Sequence, residues 1–165
     1  MSSGLVVVKT LRQSGPASLY ATPAVRAGGS TPAERVPIWE FDDGTSWYID
    51  FLCYLLGYGG NGLSIILPWT SETATSGTVR WRVAIRRMDT SEDVDTSHSY
   101  SYQLADGTAP AAAGRFVYTT VALSSAQIDS WANDELATVR VGRDITVGGN
   151  MADIAQLAGM VGKET

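Results

Sequence analysis

Residues 77–87 read GTVRWRVAIRR, and the fold turns on how this stretch is parsed. Val79, Trp81, Val83 and Ile85 share one phase; Arg80, Arg82 and, past Ala84, Arg86 share the other. Successive side chains of a pleated strand leave opposite faces, so a period of two predicts a β-strand with a core row and a wet row. Four arginines in eleven residues also raise the question of a polyanion-binding stripe, which the rest of the chain must answer.

The chain has 165 residues, a size that suits one domain with a sizeable core. Its 44% hydrophobic and 18% charged residues exclude a coiled coil and a disordered chain. A net charge of −5 argues against general nucleic-acid binding. That charge is unevenly placed. Residues 1–36 hold Lys9, Arg12, Arg26 and Arg35 against Glu34 alone, a net +3, which leaves −8 for the remainder of a chain at −5. Cys53 is the single cysteine, so neither an internal disulfide nor an all-cysteine metal site can form. In YIDFLCYLL it shares a phase with Ile49 and Phe51 and reads as a buried hydrophobe. No apolar run approaches the roughly 18 residues of a membrane span, and GLVVV near the start lacks the flanks of a signal peptide. Synthesis in the cytoplasm and no membrane partner are expected.

The first 36 residues differ from the rest. After LVVVKTL they are rich in Gly, Pro, Ser, Thr and Ala without sustained periodicity, a composition that cannot fold alone. They are expected to form an extended N-terminal arm, with Leu5–Leu11 able to add to a sheet edge. From residue 37 to 165, short apolar segments and turn signals recur about every ten residues, beginning with VPIWEF and Asp42-Asp43-Gly44. The expected fold is all-β, an antiparallel β-sandwich or jelly roll of about eight strands. SYSYQL is expected as a strand, ADGTAPAAAG as a loop, SSAQIDSWANDEL as a short helical turn and DIAQLAGMVGKE as a closing strand. Trp39, Trp47 and Trp81 fall within alternating apolar sets and join Ile49, Phe51, Val79, Val83 and Ile85 in the expected core. Trp69, behind Pro68, and Trp131 are freer to act as surface anchors.

The chemical motifs are sparse. His98, in DTSHSYSY, is the only histidine, and no nucleophile elbow accompanies it, so it reads as a solvent-facing loop residue. Asp50 could serve a glycosidase, but such chemistry needs a second carboxylate across a cleft; an ion pair with an arginine suits it better. DTSEDVD (89–95) is carboxylate-rich yet lacks the glycine and terminal glutamate of a calcium loop. GYGGNG (57–62) lacks the lysine of a phosphate loop and leads into a strand; its glycines are expected to supply positive φ. No catalytic residue, cofactor or metal ligand is assigned.

The succession WEFDDG (39–44), IDF (49–51), LPW (67–69), GTVRWRVAIRR (77–87) and VRVGRD (139–144) resembles a group of small β-rich virion proteins of tailed bacteriophages. The resemblance spans residues 36–165 and departs from the group's pattern at GGNMADIAQL. It implies a capsid decoration, or cement, protein on the outer surface of a phage head, partnered by the major capsid protein and by its own copies as a homotrimer or dimer. The arm side chains Leu5, Val7, Lys9, Arg12, Leu19, Tyr20, Arg26 and Arg35 are then expected at interfaces, the basic ones complementing an acidic shell. Asp50, Arg80, Arg82 and Arg86 form the expected contact face of the sheet, pairing with carboxylates across the sheet or a subunit boundary. The alternative is a tail-fibre or baseplate module binding a host glycan, for which Trp69 and the DTSEDVD loop are the available features.

Overall fold

The computed structural model describes residues 4–11, 20–29, 34–91, 93, 95–146 and 150–165, the first of these segments by its backbone alone. Among the described residues eleven strands follow one another: β1 (Gly4–Leu11), β2 (Thr22–Gly28), β3 (Glu34–Phe41), β4 (Tyr48–Leu56), β5 (Leu63–Ser71), β6 (Thr78–Met88), β7 (Gln103–Thr108), β8 (Val117–Leu123), β9 (Leu136–Asp144), β10 (Ala155–Leu157) and β11 (Val161–Glu164). A turn of 3-10 helix, Ser125–Gln127, stands where a helical turn is expected. The strands build two antiparallel sheets packed face to face. One has the order β1-β4-β9-β6-β7; in the other β8 and the β10/β11 pair flank β5, and β3 and β2 continue beyond β10. The fold is an antiparallel β-sandwich.

The alternation in GTVRWRVAIRR positions the core. Val79, Trp81, Val83 and Ile85 point inward and are at most 4% exposed. Phe41 and Trp69 meet the Trp81 ring edge-on at 5.2 and 5.8 Å, a favoured geometry for aromatic pairs. Ile49, Phe51 and Cys53 complete the layer from β4. Trp39 and Trp47 are only partly buried and pack on the rim of this core. Trp69 and Trp131, expected at the surface, are 0% and 1% exposed. Pro68 does not end its strand. β5 runs through it to Ser71, which returns Trp69 to the inward phase.

Pro68 instead breaks the strand beside it. Leu157 pairs with Trp69 and Val161 with Ile66, so Ala158, Gly159 and Met160 stand opposite Leu67 and Pro68 alone. Three residues against two is a bulge, and it sits where proline offers no N–H to a ladder. The closing segment is therefore a strand, as expected, divided into β10 and β11.

Two local expectations are corrected. The strand expected over SYSYQL starts only at Gln103 and runs on through ADGT, while 97–102 is irregular. The boundary expected at residue 36 falls within β3. The N-terminal segment is extended, and its described stretches are strands of the sandwich itself: β1 pairs with β4, and β2 pairs with β3.

Candidate interaction surfaces

Asp50 on β4 and Arg140 on β9 are direct cross-strand partners on the outer face of the first sheet. Arg140 donates from Nε and Nη2 to the two Asp50 carboxylate oxygens at 2.7 and 2.8 Å. The guanidinium lies between two rings, 4.1 Å from the Tyr48 centroid and 4.0 Å from that of Tyr100, so cation–π attraction adds to the ion pair. Burial is the strongest single influence and works against the Arg140 charge, but the hydrogen bond to Asp50, the Asp50 charge and the neighbouring Tyr100 and Tyr102 together outweigh it and raise the pKa. Tyr48 donates its hydroxyl to Tyr20 Oη at 3.0 Å. Burial first, and that hydrogen bond second, push the Tyr48 phenol up to about 12.

The arginines of β6 continue this face. Arg80 forms a bidentate pair with Asp106 on β7 at 2.7 and 2.9 Å. Arg82 lies under the Tyr102 ring at 4.8 Å and donates to the Ser46 carbonyl at 3.3 Å. Arg86 is 9% exposed and donates to the Asp93 carbonyl at 2.8 Å. Arg80 thus meets a carboxylate; Arg82 and Arg86 donate to carbonyl oxygens, and Arg82 also lies close enough to Asp144 to help hold its carboxyl below the usual range. The irregular 97–102 segment brings Tyr100 and Tyr102 onto the sheet. The face expected to await a partner is largely filled by its own chain, with Asp50 itself only 1% exposed.

The outer face of the second sheet is covered differently. Ala155 and Leu157 face the core, so Gln156 between them points outward; nevertheless Gln156 is 4% and the adjacent Thr70 0% exposed. Their cover is the β2–β3 hairpin. Arg26 donates to the carbonyls of Ser71 at 3.0 Å and Glu72 at 3.4 Å, and to Gln156 Oε1. Gln156 in turn donates to Glu40 at 3.1 Å. Glu40 is the cross-strand neighbour of Gln156, whereas Arg26 reaches past β3 to tie β2 to the end of β5. Between the hairpin and residues 114–116 a groove of about 600 Å³ remains, lined by Arg26, Glu34, Val36 and Phe116 among others.

The remaining arm residues are dispersed. The backbones of Leu5, Val7 and Lys9 stand opposite Leu55, Cys53 and Leu52. Arg12 and Leu19 lie outside the described residues. Tyr20 bridges to Tyr48 and meets its ring edge-on at 4.7 Å. Arg35 is exposed on β3.

The other motifs resolve into local structure. His98 is half-buried, edge-on to Tyr100 at 5.0 Å, rather than facing solvent. In DTSEDVD, Asp89 accepts from the N–H of Ser91 and Asp93 from that of Asp95; Glu92 and Val94 lie outside the described residues. GYGGNG has positive φ at Gly57, Gly60 and Gly62. Its amides do bind an anion, the chain's own Glu164: Oε1 accepts from the N–H groups of Gly59 at 2.8 Å and Asn61 at 3.2 Å.

One central residue escaped sequence reasoning. Arg143 is fully buried and donates to the carbonyls of Phe41, Asp153 and Met151 and to Asn150 Oδ1. It fastens β9 to the end of β3 and to the segment before β10. Its phase was the available signal, because Arg143 falls on the inward row with Val139 and Val141.

Comparison with known proteins finds no matching family and no similar curated protein.

Proposed function

We propose that this protein is a structural virion component, a capsid decoration protein that binds the outer surface of a phage head through the major capsid protein. One observation carries the reading. The arginine face of the first sheet is largely occupied by the chain's own carboxylates, tyrosines and carbonyls, so the main block of excess positive charge off that face is that of residues 1–36, beside the exposed Arg115 and Lys163. That segment has a net +3 on a chain of −5, and Arg35 is exposed on β3. Charge separated in this way steers a protein toward an acidic surface and holds it in one orientation. Of the two features available to the tail-fibre alternative, Trp69 is buried, while the DTSEDVD loop keeps Thr90, Ser91, Asp93 and Asp95 exposed.

The test is co-sedimentation with undecorated capsids. Wild-type protein should pellet with them, and should do so less as salt is raised. Arg35→Glu should pellet less at equal salt with an unchanged circular dichroism spectrum. Failure of the wild type to pellet at low salt would count decisively against decoration. Deletion of residues 1–36 is unsuitable, because it removes β1 and β2 and cuts β3.

A further inference from the structure

Three arginines of this chain grip a carboxylate in the same way. Arg80, Arg87 and Arg140 each donate from Nε and Nη2 to the two oxygens of Asp106, Glu135 and Asp50, the bidentate arrangement that guanidinium and carboxylate favour. Arg26 is held differently. Its Nη1 donates to the Ser71 carbonyl and to Gln156 Oε1, and its Nη2 makes one long bond of 3.4 Å to the Glu72 carbonyl. All three acceptors are neutral, and Nε has no hydrogen-bond partner among the described residues. Glu72 offers its carbonyl and Glu40 meets Gln156 instead, so neither supplies a carboxylate. Arg26 is thus anchored at Nη1, with the edge that its three counterparts use left over. Gly114 passes beside that edge. A Cβ there would stand 2.9 Å from Nη2 and 3.3 Å from Nε, and its absence leaves the edge clear. Arg26 and Gly114 both line the groove of about 600 Å³ beside the β2–β3 hairpin.

We propose that this groove binds a small organic monocarboxylate with an apolar, aromatic group. Arg26 takes the carboxylate through Nε and Nη2, as Arg80, Arg87 and Arg140 take theirs. The apolar group is met by Val36 and Phe116. Val36 is the direct cross-strand partner of Arg26 and Glu34 that of Gly28, so Arg26, Val36 and Glu34 form one row on the same face, and Phe116 lines the groove with them. The volume is that of a small-molecule site. Because Nη1 is already fixed, Arg26 loses little freedom when the ligand arrives. Glu34 sets the charge of the ligand. A carboxylate in the same row repels any second negative charge, which selects a monoanion over phosphate or a dicarboxylate. The site does not rest on the capsid reading and stands or falls without it.

Titration of the isotope-labelled full chain with phenylacetate tests it, read by NMR at the Arg26 Nε–H and the Gly114 amide. Both resonances should shift together and saturate with a millimolar Kd. Phenylacetamide, the neutral counterpart, should shift neither, and inorganic phosphate should bind more weakly than phenylacetate. Phe116→Ala should weaken phenylacetate about three- to tenfold while leaving acetate unchanged, and Glu34→Gln should strengthen phosphate. Arg26→Gln should abolish binding. Arg26 also ties β2 to the end of β5, so if that variant does not fold, Phe116→Ala and Glu34→Gln decide the matter. No saturable shift in the wild type would overturn the site, as would equal binding of phenylacetamide or phosphate binding as tight as phenylacetate. So would a folded Arg26→Gln that still binds, a Phe116→Ala that binds phenylacetate as the wild type does, or a Glu34→Gln without effect on phosphate.

Discussion

Asp50 and Arg140 face each other across β4 and β9 in a bidentate ion pair, with the carboxylate 1% exposed and the guanidinium held between Tyr48 and Tyr100. Removing one partner of such a pair deprives a buried charge of its bidentate counter-ion, and breaking a buried pair typically costs about 3–5 kcal/mol. Arg140→Leu should therefore lower the urea midpoint sharply. Asp50→Leu combined with Arg140→Leu should recover much of the loss, because apolar replacement of both partners is often neutral. Equal instability of the single and double variants would contradict this account.

Gly107 on β7 is a place where the sandwich admits no side chain. A Cβ there would overlap Thr119 Oγ1 and come within 3.0 Å of the Trp69 ring. Trp69 Nε1 donates to that same hydroxyl at 2.9 Å, so neither neighbour can move without breaking the bond. Gly107→Ala is expected to destabilise by about 1–3 kcal/mol, the usual cost of overpacking. Thermal unfolding measures it.

Several carboxyls are held below their ordinary range. The Arg80 side chain does this for Asp106, and the Arg87 side chain followed by the Ala132 N–H does it for Glu135. At Asp153 burial pushes upward most strongly, but the amides of Ala74, Thr73 and Ile154 and the Thr73 hydroxyl together outweigh it. Because the folded pKa values are depressed, the unfolded chain binds more protons in acid. The stabilisation is thus complete above the ordinary carboxyl pKa of about 4 and is lost as pH falls through the folded values. Urea midpoints should be flat from pH 7 to about 5 and fall below about 4. Glu135→Gln should make that acid limb shallower.

Cys53 is fully buried, and desolvation pushes its thiol up to about 12. A protonated thiol without solvent access does not react. Labelling by a disulfide reagent at pH 8 should proceed only through opening of the fold, at a rate that rises with urea. Fast labelling of the native protein would show that the β1–β4 edge opens locally.

Glu164 clasps the glycine loop through the amides of Gly59 and Asn61. The contact is exposed and so contributes little to global stability, at most about 1 kcal/mol. Glu164→Ala should speed hydrogen exchange at Gly59 and Asn61 while leaving the urea midpoint nearly unchanged.

The sequence by itself determined which side chains face inward. In GTVRWRVAIRR, and in YIDFLCYLL beside it, a period of two is imposed by the pleat and needs no partner to be read. Val79, Trp81, Val83, Ile85, Ile49, Phe51 and Cys53 were legible for that reason. So was Arg143 in principle, since its phase matches Val139 and Val141. Tertiary structure alone decided what covers the outward faces. Arg140 is 90 residues from Asp50 along the chain, and Arg26 is 130 from Gln156; no local periodicity encodes such meetings. Trp69 was misplaced because proline usually ends a strand, whereas here the neighbouring strand bulges instead and lets β5 continue. Periodicity says which way a side chain points. Only the packed chain says what stands there to meet it.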